Sequence, residues 1–170
     1  MEYSISINFF TNQVGIRKAA ELVSKAGFTQ LDYNPPIFND NWKELFKSEV
    51  EVLNEYGLKV HQAHFPFNRY GWYNNHRELI DRLLDCGESL GVKYYAVHGD
   101  EIDFESTTFS KEAALEYNHN YFLPYVERAK KNGYKIAFET VFEDWKRNRF
   151  TSEADDLYNL ITSYNSESAV

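Results

Sequence analysis

The chain has 170 residues, enough for one domain with a sizeable core, and its apolar share of 43% is that of a globular protein rather than a disordered one. A net charge of −8 disfavours nucleic acid as the main partner, because phosphate binding needs clustered Lys and Arg. The single cysteine, Cys86, excludes an internal disulfide framework and fits a reducing cytoplasm, the Met-Glu-Tyr-Ser start lacks the basic and apolar regions of a signal peptide, and no run approaches the ~18 apolar residues of a membrane span.

Strand and helix patterns alternate from the start. Ser4–Phe9 alternates and is rich in β-formers, which predicts a first strand. Ile16, Ala19, Ala20 and Val23 follow at helical spacing, and Gly27 ends that helix. Phe28–Tyr33 is a second strand, closed by Asn34-Pro35-Pro36, which cannot continue a ladder. Asn41 with Glu44 reads as a capping box, and Phe46, Val50 and Leu53 carry a second helix to Gly57. Leu58–His64 is the third strand, followed by an aromatic loop with Phe65, Phe67, Tyr70, Trp72 and Tyr73. Asn75 with Glu78 gives a second capping box, and Leu79, Leu83, Cys86 and Leu90 form an apolar stripe that makes Cys86 a small core residue.

Val92–His98 is the fourth strand, and an acidic, solvated loop leads to Ser110 as an N-cap. The helix through Leu115, Phe122, Val126 and Ala129 is expected to kink or break at Pro124. Tyr134–Glu139 is the fifth strand. A loop with Phe142, Trp145, Arg147 and Arg149 precedes a helix on Leu157, Leu160, Ile161 and Tyr164, and Ser168-Ala169-Val170 reads as the start of a sixth strand.

Tandem βα units imply parallel strands joined by right-handed crossovers, in an open doubly wound sheet or a (β/α) barrel. No Gly-x-Gly-x-x-Gly turn follows the first strand and no Walker-type loop exists, so the nucleotide-binding open sheets lose support. The expectation is a single α/β domain over residues 1–170, a partial (β/α) barrel of TIM type. A full barrel takes about 250 residues, so five units leave an unpaired strand edge that a second copy of the chain would cover.

Three strands open on a glycine and a bulky residue, Gly57-Leu58, Gly91-Val92 and Gly133-Tyr134. Six or seven residues past each glycine stand His64, His98 and Glu139. All three fall at strand C-terminal ends, and strict alternation puts His64 with Val60 and Gln62, His98 with Tyr94 and Ala96, and Glu139 with Lys135 and Ala137. They are expected to meet at one rim, where barrel active sites lie. Two imidazoles and a carboxylate form a ligand set for Zn²⁺ or Mn²⁺, and the plainer reading is a hydrogen-bonded polar rim. His61 is expected to face the helices as a buried imidazole, and His76 and His119 to lie on helix surfaces. Asp32 is either an extra acid or a turn residue. Trp72, Trp145, Arg147 and Arg149 sit in loops over the same rim, where a ring could stack on a sugar and an Arg fork could hold a phosphate. Packing and solvent exposure are the plainer readings of these four.

The segments AGFTQLDYN, YGLKVHQAHFPF, LGVKYYAVHGD and GYKIAFETVFED, in this order, resemble the xylose isomerase-like TIM barrels, the sugar phosphate isomerases/epimerases and abasic-site endonucleases. The resemblance implies that His64 and His98 are metal ligands or line a sugar pocket, and that Glu139 binds a divalent metal (Mn, Zn, Mg or Co) and takes part in acid/base chemistry. The family's next strand carries an Asp-x-x-His and its last strand a second Glu, and both positions fall past Val170. The expected function is a sugar or sugar-phosphate isomerase/epimerase with metal-assisted proton transfer next to a carbonyl. The alternatives are a metal-dependent abasic-site endonuclease, and a non-catalytic barrel that binds a sugar or a partner chain.

Overall fold

The computed structural model describes residues 3–67, 73–99, 110–140 and 150–170. Among these residues five parallel strands alternate with six helices, and the chain divides into two compact units.

The first unit comprises residues 1–64 and 77–93. Strands β1 (Ser4–Ser6), β2 (Gln30–Asp32) and β3 (Lys59–His64) pair in parallel, in chain order. The expected strand over Ser4–Phe9 stops early. Ile7 is buried, and its carbonyl accepts both the backbone N–H and the hydroxyl of Thr11, which starts the short helix α1 (Asn8–Val14). Phe9 and Phe10 therefore stand exposed on a helix rather than alternating along a strand. Helix α2 (Ile16–Lys25) buries Ala19, Ala20 and Val23, the expected apolar stripe. Past it, Gly27 has φ +87°, a left-handed turn into β2 that a side chain would strain.

Helix α3 (Trp42–Glu55) starts at Asn41 without a side-chain cap, so the expected capping box does not form; only the Asn41 carbonyl accepts, from Glu44 and Leu45. Helix α4 (His76–Leu90) buries Leu79, Leu83 and Cys86 as its periodicity requires, each large side chain contributing about 2 kcal/mol of transfer free energy. Its Arg82 donates to the Ile37 carbonyl at 3.0 Å and lies over the Trp42 ring, which anchors the loop after β2.

The second unit comprises residues 65–76 and 94–170. Strands β4 (Tyr94–His98) and β5 (Lys135–Glu139) pair in parallel without a register shift. Helix α5 (Lys111–Asn132) is capped by the Ser110 hydroxyl, which accepts from Ala113 N–H at 3.0 Å, and ends on Gly133 in the left-handed region. It runs unbroken through Pro124, against the expected interruption. Pro124 lies on the exposed side of the helix, as does Asn120, whose carbonyl loses its helical partner to solvent. Helix α6 (Ala154–Ser163) follows, with Leu160 buried. Residues 168–170 then pair with β5: Ile136 N–H donates to Ser168 O at 2.8 Å, Val170 N–H to Ile136 O at 3.0 Å and Phe138 N–H to Val170 O at 2.7 Å. The sixth-strand start read from the sequence is present. Among the described residues no helix is long and apolar enough to cross a membrane.

Candidate functional site

In the first unit, backbone and side-chain hydrogen bonds join the carboxyl ends of the strands. Ile7 N–H donates to the Asp32 carbonyl at 3.1 Å, and Asn34 N–H donates to Asn8 Oδ1 at 2.8 Å. Asn34 Oδ1 in turn accepts the His64 backbone N–H at 2.7 Å. His64 ends β3 half-buried, with its Nδ1 3.1 Å from Asp32 Oδ1. A carboxylate accepts, so Nδ1 is the donor of this bond. That is the arrangement in which a carboxylate orients a histidine for a metal or a substrate proton.

The strand itself is irregular. Asp32 pairs with Gln62 whereas Leu31 pairs with Val60, so His61 is an extra residue in β3. The bulge shifts the alternation: Val60 and Ala63, three apart, are the buried residues of the strand. The expected shared face of Val60, Gln62 and His64 is broken for this reason. His61 is half-buried rather than buried in the core, and its carbonyl accepts Lys93 N–H at 3.0 Å.

In the second unit, His98 and Glu139 are register partners at the ends of β4 and β5. Cross-strand partners stand about 5 Å apart with side chains on the same face, which makes these two a proximal pair. Ile136 and Phe138 are buried while Lys135, Ala137 and Glu139 are half-buried, as the alternation requires. Phe67 sets the edge of its ring against the His98 imidazole, 5.1 Å between centroids. The next residue is Gly99, where a Cβ would come within 2.6 Å of Leu160 and 3.1 Å of Thr151, so no larger residue fits behind His98 without movement.

Of the sequence-predicted residues, Glu139 and His98 are thus brought together, and His64 is joined to Asp32. Asp32 ends β2 five residues past Gly27, one or two short of the count that places the other site residues, and its strand-end position is its signal. Trp72, Trp145, Arg147 and Arg149, and the acidic loop at 100–105, lie outside the described residues. Among the described residues no group of three His, Cys, Asp or Glu side chains is arranged to hold a metal ion. Ligand types occur instead as two pairs, and by donor chemistry each suits a divalent cation.

His76 corrects its surface expectation. It is 4% exposed, with Nε2 2.6 Å from the Pro66 carbonyl, so Nε2 carries the proton and Nδ1 accepts from the Tyr121 hydroxyl. It lies three residues before Leu79 on the apolar stripe of α4, a position that marks burial. His119 is half-buried, bonded to Ser163 Oγ at 2.8 Å and stacked on Tyr164.

No protein-family model and no curated protein sequence matches the chain. Solved structures do. An AP endonuclease of family 2 from Brucella melitensis matches with TM-score 0.75 and 14% identity, over 99% of this chain and 66% of its own. A xylose isomerase-like TIM barrel protein from Mycobacterium smegmatis, in complex with magnesium, matches with TM-score 0.72 and 13% identity, over 99% and 62%. The 3-keto-D-glucoside 4-epimerase of E. coli matches with TM-score 0.69 and 14% identity, over 91% and 61%. The chain spans about three-fifths of the length of such structures. At these identities the likeness establishes architecture: the chain has the fold of the xylose isomerase-like TIM barrels.

Proposed function

We propose that this chain carries part of the active site of a sugar or sugar-phosphate isomerase/epimerase. The observation that carries the reading is the register pairing of His98 with Glu139 at the carboxyl ends of β4 and β5, the face on which barrel enzymes do their chemistry. The likeness to a sugar epimerase and to a magnesium-bound barrel of the same fold supports it.

In the second unit His98 and Glu139 would hold a divalent ion (Mn, Zn, Mg or Co), by donor type, and in the first unit His64 is a donor of the same kind. Such an ion, when bound, polarises carbonyl and hydroxyl oxygens and stabilises developing enediolate charge. The protein's own part is proton transfer and positioning. Glu139 moves the proton on the carbon next to the carbonyl, and His98 hydrogen-bonds a substrate oxygen. Asp32 accepts from His64 Nδ1 and so orients the imidazole. Trp72, Trp145, Arg147 and Arg149 border the substrate in this reading. A net charge of −8 gives no support to the endonuclease alternative.

The test is solvent-deuterium exchange at the carbon next to the carbonyl of a ketose, followed by NMR in the presence of Mn²⁺ or Mg²⁺. Glu139→Gln is expected to slow exchange by about 10²–10⁴-fold, the worth of a positioned acid/base group. Exchange at the same rate in the variant would overturn the assignment.

A further inference from the structure

We propose that the chain binds an uncharged monosaccharide or similar polyol, rather than a sugar phosphate, in a cleft beside the Asp32–His64 pair. The inference rests on the isomerase/epimerase reading and narrows it. The cleft lies wholly in the first unit, where β1 runs into α1 and β2 runs into the Asn34-Pro35-Pro36 loop, with α3 as its back wall. Its volume is about 400 Å³, within the range of roughly 300–1,000 Å³ found for small-molecule sites.

Its lining combines three kinds of group. Asn8, Asn12, Asn34 and Asn39 bring side-chain amides; Asn8 and Asn34 accept backbone N–H groups and Asn39 donates to the Pro36 carbonyl, which fixes their orientation and leaves each amide further capacity to bond a sugar hydroxyl. Phe38, 53% exposed, and the rigid Pro35-Pro36 pair give an apolar wall for the C–H face of a sugar ring. At the back, the Tyr33 hydroxyl donates to the Glu49 carboxylate.

Charge separates free from phosphorylated sugar. Among the described residues that line the cleft there is no Lys, Arg or His, and Glu49 is its one acid. A phosphate monoester carries close to two negative charges at neutral pH and is held by Arg forks or Lys. Here it would meet a carboxylate with no cation beside it. A neutral polyol meets amides, a ring and a hydrogen-bonded acid.

The cleft also reaches the strand-end chemistry. Asn34 commits its Oδ1 to the His64 backbone, and its Nδ2 is the donor it offers to a ligand. A sugar held there is one hydrogen-bonded residue from His64. The loop is pre-set for this by the Arg82 bond to Ile37 O.

The experiment titrates the intact chain with D-fructose and with D-fructose 6-phosphate, following backbone amides by NMR, in wild type, Asn12→Ala and Phe38→Ala. Both substituted side chains are exposed, and unchanged melting temperatures confirm that the variants fold. D-Fructose is expected to shift residues 8–12 and 34–39, and each variant to weaken binding about 3–10-fold, the worth of one hydrogen bond or ring contact. The 6-phosphate is expected to bind at least about 10-fold more weakly than D-fructose. Equal or tighter binding of the phosphate overturns the proposal, and so does the absence of D-fructose binding. D-Fructose binding that is indifferent to both variants and shifts only the neighbours of His98 and Glu139 overturns the cleft while leaving the proposed function standing. Cleft binding in a protein that exchanges no carbon-bound proton has the opposite meaning: the cleft stands and the function falls.

Discussion

The Nδ1 atom of His64 and the Oδ1 atom of Asp32 stand 3.1 Å apart, joining the ends of β3 and β2. The pair depends on the bulge at His61, because the extra residue sets which β3 side chains follow Asp32 across the ladder. If His64 is a ligand, its affinity depends on this carboxylate. Asp32→Asn keeps the size of the side chain but removes the acceptor-only partner that orients the imidazole. Divalent-metal affinity, read by isothermal titration calorimetry, is expected to fall about 10–100-fold with an unchanged circular dichroism spectrum. Unchanged affinity would mean that His64 does not act on metal through Asp32.

His76 is a structural clip, not a site. Replacing it with Ala leaves the buried Pro66 carbonyl and the half-buried Tyr121 hydroxyl without this partner. The expected cost is about 3 kcal/mol in urea unfolding, with faster amide exchange around residues 65–67. A loss below about 0.5 kcal/mol would show that the clip bears no weight.

Gly99 is needed for space. Gly99→Ala sets a methyl 2.6 Å from Leu160 Cδ2, inside the core between β4 and α6. An overpacked methyl costs about 1–3 kcal/mol, and Leu160→Ala in the same chain is expected to recover part of it through non-additivity. Additive losses in the double variant would place the strain elsewhere.

Stability carries a pH signature from Glu49. Burial raises its carboxyl above the ordinary value of 4.5, and the Tyr33 bond offsets only part of that. The folded chain therefore holds this proton more tightly than the unfolded chain. Its contribution to stability is fullest below 4.5 and is lost as pH rises through the window just above it. Glu49→Gln keeps an acceptor for Tyr33 and is expected to flatten that decline in urea midpoints measured from about pH 4 to about pH 8. A decline of the same slope in the variant would assign it to other groups.

The alternation of strands and helices was legible because each unit is short and closed by a left-handed glycine, at Gly27, Gly57, Gly91 and Gly133. The strand ends were legible by the same count, and register confirms His98 beside Glu139. Two features broke the pattern. A bulge cannot be seen in periodicity, so the face of His61 and Gln62 was misread. A short helix of exposed aromatics looks like a strand until Ile7 is known to be buried and Thr11 to fold back on it. The amides of Asn8, Asn12 and Asn34 were invisible as a site because they read as turn and linker residues one at a time. Only the fold sets them around one cleft.

The central claim is that the strand-end residues serve a metal-assisted proton transfer. Elemental analysis of the purified chain and of its His98→Ala variant tests it most directly. The account predicts close to one divalent metal per wild-type chain and its loss in the variant. No metal in either protein, or metal kept by His98→Ala, would contradict it.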